Sequence, residues 1–366
     1  MSEPRRASES EDPWLNPSTD ALETPMMENA AARKTTAAAR RPGNWLPGVL
    51  LSLVAIGLLS RVVAWRDVVS ALRAIPVGAL VVAIGFYLGA ALCRALCWQM
   101  ILQRQASVRR VFIVIQEGYL LNNLLPFRLG ELGRALLMGR TINSSPLHVL
   151  STIVIERLYD LALAATLVLV TLPVVLNVER ARWLAVTVLL LIGVAFVVLY
   201  FVVRNQHQLA ELLQRWLSRW PRLAHLLVPR LEPVLAGLGV LSRPSQLAVS
   251  LGWMALSWLF LTAEYYILLR TIAPQAPIWA AAFTLGAGMM GGALPSAPSG
   301  LGVYEASVVG ALTLFAVPVA PALSYAVAIH LIHILFSCAV GLWGMTREGE
   351  TLFGLYHQVR QTFVRT

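Results

Sequence analysis

The chain has 366 residues, 57% of them hydrophobic and 13% charged, with a mean hydropathy of +0.68. Soluble domains are about half apolar and about a quarter charged, so the composition excludes a soluble globular fold and predicts an all-α, polytopic transmembrane helix bundle. The net charge of +10 is almost entirely arginine, since Lys34 is the single lysine, and the arginines gather between apolar runs, which suits anionic lipid headgroups and argues against nucleic acid.

Residues 1–44 are polar, rich in Ala, Ser, Thr, Pro and Glu, and lack periodicity, which predicts a disordered tail. The first apolar run starts near Trp45 and has no Ala-x-Ala-like exit, so it reads as an uncleaved anchor. A bilayer crossing takes about twenty residues. Runs of that length fall at 45–65, 77–102, 149–176, 183–203, 246–270 and 322–345. Two further segments are interrupted, 111–140 at Pro126 and 278–317 at Pro295 and Pro298. Each could be a pair of crossings or a re-entrant hairpin. The loop 204–245 carries Arg204, Arg215, Arg219, Arg222, Arg230 and Arg243 against Glu211 and Glu232, and with Trp216 and Trp220 it suits a basic amphipathic surface helix. The positive-inside rule then puts the N-terminus, this loop and the tail 348–366 in the cytoplasm, although Arg61, Arg66 and Arg73 would lie outside. The transmembrane domain spans 45–347. Cys93, Cys97 and Cys338 lie within apolar runs and read as small buried hydrophobes.

The two interrupted segments resemble each other. The first reads Asn122-Asn123-Leu124-Leu125-Pro126-Phe127-Arg128-Leu129-Gly130-Glu131, and the second Gly292-Ala293-Leu294-Pro295-Ser296-Ala297-Pro298-Ser299-Gly300-Leu301-Gly302-Val303-Tyr304-Glu305. Each has a Leu-Pro break, a Gly-containing turn and a Glu opening the next apolar run. Three full spans lie between them, so the second would enter from the face opposite the first. That is the pattern of an inverted-topology repeat, whose broken segments mark a transporter's substrate site.

A charge inside a span costs about 2.5–3.5 kcal/mol on the insertion scale, so each such residue is a functional candidate. Glu156 and Asp160 share a helix face, with Arg157 about 100° around it. Arg94 lies deep in 77–102; an ion pair holding two helices together is as good a reading as a substrate contact, and the same holds for Glu264. Arg128, Glu131 and Arg134 flank the first break, where a guanidinium and freed backbone N–H groups suit a phosphate. Asn122 and Asn123 need polar partners in an apolar run, which a wet cavity provides. The second break offers Ser299 and Glu305 and no arginine. His330 and His333 share a face of the last span; packing is the favoured reading and a proton relay with Glu305 or Asp160 the alternative. Gly288 and Gly292 have the spacing of a helix-packing surface.

The ordered set Asn123-x-Leu125-Pro126-x-Arg128-x-Gly130-Glu131-x-x-Arg134, then Glu156-Arg157-x-x-Asp160, then Pro295-x-x-Pro298-x-Gly300-x-Gly302-x-x-Glu305 resembles the lysylphosphatidylglycerol synthase transmembrane-domain family of flippase-like proteins. The resemblance covers roughly 45–347. It implies lipid translocation: similar domains move aminoacylated phosphatidylglycerol between leaflets, and others are associated with lipid-linked glycan assembly. It also implies a cavity role for Arg128, Glu131, Arg134, Glu156, Arg157, Asp160 and Glu305. The chain departs from the family near His330, where an Arg is common, and it carries no soluble aminoacyl-transferase domain, so any modified lipid is expected from another enzyme.

The resulting expectation is a lipid flippase or scramblase of the bacterial inner (plasma) membrane. Its partners would be anionic, aminoacylated or polyprenyl-linked lipids, and a lipid-modifying enzyme or glycosyltransferase. An accessory protein binding lipid or such an enzyme is the alternative. A catalytic role is disfavoured: the four aspartates, Asp12, Asp20, Asp67 and Asp160, form no Asp-x-Asp pair, and there is no Gly-x4-Gly-Lys-Ser/Thr phosphate loop. No cofactor or metal is expected.

Overall fold

A computed structural model describes residues 65–124, 129–176, 243–294 and 297–349, with isolated positions beyond them. The chain divides into Met1–Asn44 and Trp45–Thr366, and the fold below belongs to the second unit. The predicted tail 1–44, most of the predicted spans 45–65 and 183–203, and nearly all of the loop 204–245 lie outside the described residues. So do Pro126, Arg128, Pro295 and Ser296.

Every regular element among the described residues is helical. In chain order these are α1 (Trp65–Arg73), α2 (Val77–Ile101), α3 (Val108–Leu124), α4 (Leu129–Thr141), α5 (Pro146–Leu176), α6 (Pro244–Ile272), α7 (Ile278–Ala293), a 3-10 turn (Pro298–Gly300), α8 (Val303–Thr313) and α9 (Val319–Arg347). Prolines set the starts. Pro146 and Pro244 open α5 and α6, where a missing N–H costs nothing. Pro76, Pro277 and Pro318 stand in extended backbone just before α2, α7 and α9. Among the described residues, three helices are long and apolar enough to cross a membrane: α2, α6 and α9. They match the expected spans 77–102, 246–270 and 322–345. The expected span 149–176 is α5, 31 residues long.

These helices are apolar all round, so what separates their faces is burial. On α2, Val77, Val81, Ile84, Leu88 and Leu92 are exposed, and Ala83, Tyr87, Ala90, Arg94, Cys97 and Trp98 are buried at three- and four-residue spacing. On α9, Leu331, Leu335 and Leu342 are exposed while Ile329 and His330 are buried. The exposed stripes suit lipid, and the polar side chains turn inward, as a lipid solvent demands. The three cysteines are free, and Cys93 and Cys97 are buried as expected.

In the packing, α2 lies along α6, α3 along α9, and α7 against α5 and α8, while α4 bridges α3 and α5. Serine and tyrosine hydroxyls tie helices across the bundle. Ser257 donates to the Ala90 carbonyl at 2.9 Å, and Tyr325 to the Tyr265 carbonyl at 2.9 Å.

Each interrupted segment contains two helices packed on each other, α3 with α4 and α7 with α8. In the first, a Cβ on Gly130 would overlap the Gly118 carbonyl, and one on Gly118 would overlap the stem of Arg134. In the second, a Cβ on Gly291 would overlap Ser307 Oγ, and Gly288 and Gly292 face Tyr304. Glycine is needed at Gly130 because the neighbour there is a backbone atom that cannot give way, whereas at Gly118, Gly288 and Gly291 side chains fill the space and at Gly292 a Cβ would make an ordinary contact with Tyr304 at 3.9 Å. At 1.5 Å per residue, α4 runs about 20 Å and α8 about 16 Å.

Candidate functional site

The charged residues expected from the sequence meet inside the bundle. Arg94 of α2 forms a two-pronged pair with Asp160 of α5, Nη1 to Oδ2 at 2.8 Å and Nη2 to Oδ1 at 2.7 Å. Its Nη1 also reaches Glu156 Oε1 at 3.0 Å. Glu156 Oε2 takes Arg134 Nη2 of α4 at 2.6 Å. Arg157 Nη1 lies 3.2 Å from Asp160 Oδ2, and its Nε lies 2.9 Å from Glu131 Oε1, at ion-pair distance but outside hydrogen-bond alignment. Three arginines thus face three carboxylates, and the cluster is formally neutral. The four-residue spacing of Glu156 and Asp160 aims both at Arg94.

The surroundings explain how lipid-embedded helices tolerate this cluster. Arg134 and Glu156 are both 0% exposed, so neither charge sees solvent. The Arg134 guanidinium stacks over the Trp98 ring at 4.1 Å. Trp98 Nε1 donates to Thr152 Oγ1 at 3.1 Å, fixing the ring, and Trp258 Nε1 donates to Asp160 Oδ1 at 3.2 Å. Arg134 Nε and Nη1 have no hydrogen-bond partner. A buried donor without an acceptor costs about 1–3 kcal/mol, more when charged, so this site is short of acceptor atoms.

The two interrupted segments touch each other. Asn123, near the end of α3, accepts Ser299 Oγ at its Oδ1 (3.1 Å) and donates from Nδ2 to Ser337 Oγ of α9 (2.9 Å). Asn122 accepts the Gly130 N–H at 2.9 Å and so closes the first break from within. Ser299 has φ 61°, a left-handed conformation that a serine rarely adopts. His330 Nε2 lies 3.0 Å from Ser299 Oγ and 3.1 Å from its carbonyl oxygen. His330 Nδ1 lies 2.5 Å from Glu305 Oε1, and Glu305 Oε2 accepts the Gly302 N–H at 2.6 Å, capping α8. His333 pairs with Glu264 at 3.0 Å and stacks on Tyr87, ring centres 4.1 Å apart.

Of the residues expected from the sequence, Arg94, Glu131, Arg134, Glu156, Arg157 and Asp160 form one cluster. Asn123, Ser299 and Glu305 form a second, which His330 completes, and Asn122 braces the first break. Arg128 lies outside the described residues. Sequence reasoning missed Trp98, Trp258 and Thr152. Trp98 carried a usable signal, since it follows Arg94 by four residues and shares its face; Trp258 carried none, because its partner Asp160 is 98 residues away. It also missed Gln116, buried in α3 with both amide atoms unpartnered.

The family model described as Lysylphosphatidylglycerol synthase TM region matches residues 45–341. The chain belongs to this family. It is therefore a multi-pass integral membrane protein of a flippase-like, lipid-transport-related group, and the matched stretch holds both polar clusters. No curated protein and no solved structure matches the chain.

Proposed function

We propose that the protein is a lipid translocase that moves a phosphate-containing headgroup along a polar path between the two interrupted segments while the acyl chains stay in the bilayer. The observation that carries this reading is Arg134, a fully buried cation with two donor nitrogens unpartnered, set in a neutral arginine–carboxylate cluster. Unmet donors call for an acceptor, and a phosphate supplies several oxygens in the geometry guanidinium groups bind best. In the closed state Asp160 holds Arg94 much as a phosphate would. An entering headgroup exchanges with Asp160 and Glu156 as the arginines' partner, so no charge is left bare in lipid. Arg157 with Glu131, at the more exposed edge, lines the entrance. Asn122, Asn123, Ser299 and Glu305 hold the two breaks together. An aminoacylated headgroup adds a cation that the freed carboxylates can take.

The finer architecture follows the same reading. The lengths of α4 and α8, well under the roughly 30 Å hydrocarbon core, support re-entrant hairpins over full crossings. With an odd number of spans between them, these hairpins form an inverted repeat. Residues 1–44 and 348–366 are cytoplasmic tails flanking a domain at 45–347, and the membrane is the bacterial inner membrane. The protein moves lipid without chemically changing it.

The test is translocation by purified protein in liposomes, using fluorescent phospholipids with neutral, anionic and aminoacylated headgroups and a quencher confined to the outer leaflet. Inner-leaflet signal should be lost faster than in protein-free vesicles, most for anionic or aminoacylated lipid. No acceleration with any headgroup, from folded protein, would refute the reading and turn attention to an accessory role.

A further inference from the structure

We infer that His330 and Glu305 form a proton-binding site, and that its proton latches the two interrupted segments together and couples proton movement to headgroup movement. The coupling rests on the translocase reading; the proton site and latch do not.

The Ser299 carbonyl oxygen can only accept, so the 3.1 Å contact from His330 Nε2 requires a proton on Nε2. The Ser299 hydroxyl has one hydrogen, directed to Asn123 Oδ1 at 3.1 Å, so it cannot also serve Nε2. On the other side of the ring, Nδ1 and Glu305 Oε1 are 2.5 Å apart. Two bare acceptors repel at that distance, so a proton lies between them. Glu305 Oε2 already accepts the Gly302 N–H. The pair therefore holds one proton more than a neutral imidazole facing a carboxylate.

Loss of that proton to water leaves a pair with net charge −1 and a ring with a single N–H. One N–H cannot serve both Glu305 and the Ser299 carbonyl. The ionised carboxylate is the stronger acceptor and keeps it. Ser299 then loses the bond that holds it at φ 61°, and its turn is free to relax away from Asn123. Protonation closes the contact between the segments and deprotonation opens it.

The site is insulated from competing groups. On α8, the Tyr304 ring lies 4.6 Å from the His330 ring, and its hydroxyl is bonded to Tyr265 of α6 at 2.6 Å. Glu264 of α6 is engaged with His333, under Tyr87 of α2. From α3 the facing group is Asn123, while Glu117 and Arg110 lie toward the far end of α9, beside Gly344 and Glu348. On α1, packed near Ser324 through Val68, Arg66, Asp67 and Arg73 are exposed.

Two measurements test this on the full-length protein in bilayers. The first is infrared difference spectroscopy between acid and alkaline pH. Wild type should show coupled carboxyl and imidazole changes that disappear in both Glu305→Gln and His330→Gln; Glu305→Gln keeps an oxygen for the Gly302 N–H, so α8 stays capped. Changes untouched by either variant would overturn the proton site, whatever the transport result. The second is translocation of fluorescent phosphatidylglycerol in vesicles loaded with a pH dye. Imposing a one-unit pH gradient should change the wild-type rate severalfold, bounded at about tenfold per coupled proton, with matching proton flux. His330→Arg, whose cation cannot release its proton, should stay latched and move lipid slowly, at a rate indifferent to the gradient. Wild-type movement equally indifferent to it would overturn the coupling while leaving the translocase standing. No lipid movement at all would count against the translocase, and the infrared result would still decide the proton site.

Discussion

Within one cluster, six charged residues are unequal because their solvent access differs. Arg94 and Glu156 have side chains 7% and 0% exposed, whereas Arg157 and Glu131 are 28% and 24% exposed. Removing one member of a buried pair leaves an uncompensated charge and costs about 3–5 kcal/mol. An exposed pair is worth at most about 1 kcal/mol. Arg94→Leu strips Asp160 and Glu156 of a shared partner, and a large fall in the melting temperature of purified protein is expected. Glu131→Gln should lower it only slightly. Equal losses from the two would mean that the cluster is uniformly wet. Asp160→Asn keeps an acceptor for Trp258 and Arg94 but weakens the two-pronged pair. We expect it to fold, to melt at a somewhat lower temperature, and to slow translocation at least about tenfold, since it disturbs the charge balance that partner exchange needs. Wild-type rates from this variant would remove Asp160 from the path.

At the scale of helices, the interrupted pairs depend on close backbone approach. Gly130→Ala would drive a methyl into the Gly118 carbonyl, a backbone atom that cannot swing aside. Overpacking of this kind costs about 1–3 kcal/mol, and it would separate α3 from α4 and pull Arg134 from Glu156. Thermal stability and translocation should fall together. Gly310 of α8 is the control: a Cβ there meets nothing within 4 Å, so Gly310→Ala should be neutral or stabilise by up to about 1 kcal/mol. The long apolar helices were legible in the sequence because length and hydropathy alone define them. So was the Glu156–Asp160 pair, because four-residue spacing is a local property. The contact between Asn123 and Ser299 was not, because it joins residues 176 apart and depends on how the two interrupted segments dock. Sequence alone favours packing for His330 and leaves a relay with Glu305 or Asp160 as the alternative for the same reason: its partners, Ser299 and Glu305, lie on other elements.

For the whole molecule, both polar clusters fall within the matched stretch 45–341, and the tail 1–44 contributes none of their residues. A variant lacking residues 2–44 should therefore translocate lipid at the full-length rate in the same liposome assay. A loss of more than a fewfold would show that the tail takes part. The exposed aliphatic stripes of α2 and α9 face outward while the charges face one another. The bundle reverses the usual soluble arrangement, and its stability should respond to the surrounding lipid more than to ionic strength, since the buried pairs are poorly screened.

The pairing of Arg94 with Asp160 also constrains how the protein is made. The two residues are 66 positions apart. At ribosomal speeds of roughly 5–20 residues per second, about 3–13 s separate their synthesis. Throughout that interval α2 carries a cation with no counter-charge, and Arg134 on α4 appears before either carboxylate of α5. A nascent chain in this condition must keep α2 at the protein-lined exit of the insertion machinery, or in contact with an escort, until α5 emerges. Membrane integration of this protein is thus a cooperative event timed by its fifth described helix, and a ribosomal pause placed before Glu156 should raise the fraction of chains degraded before they fold.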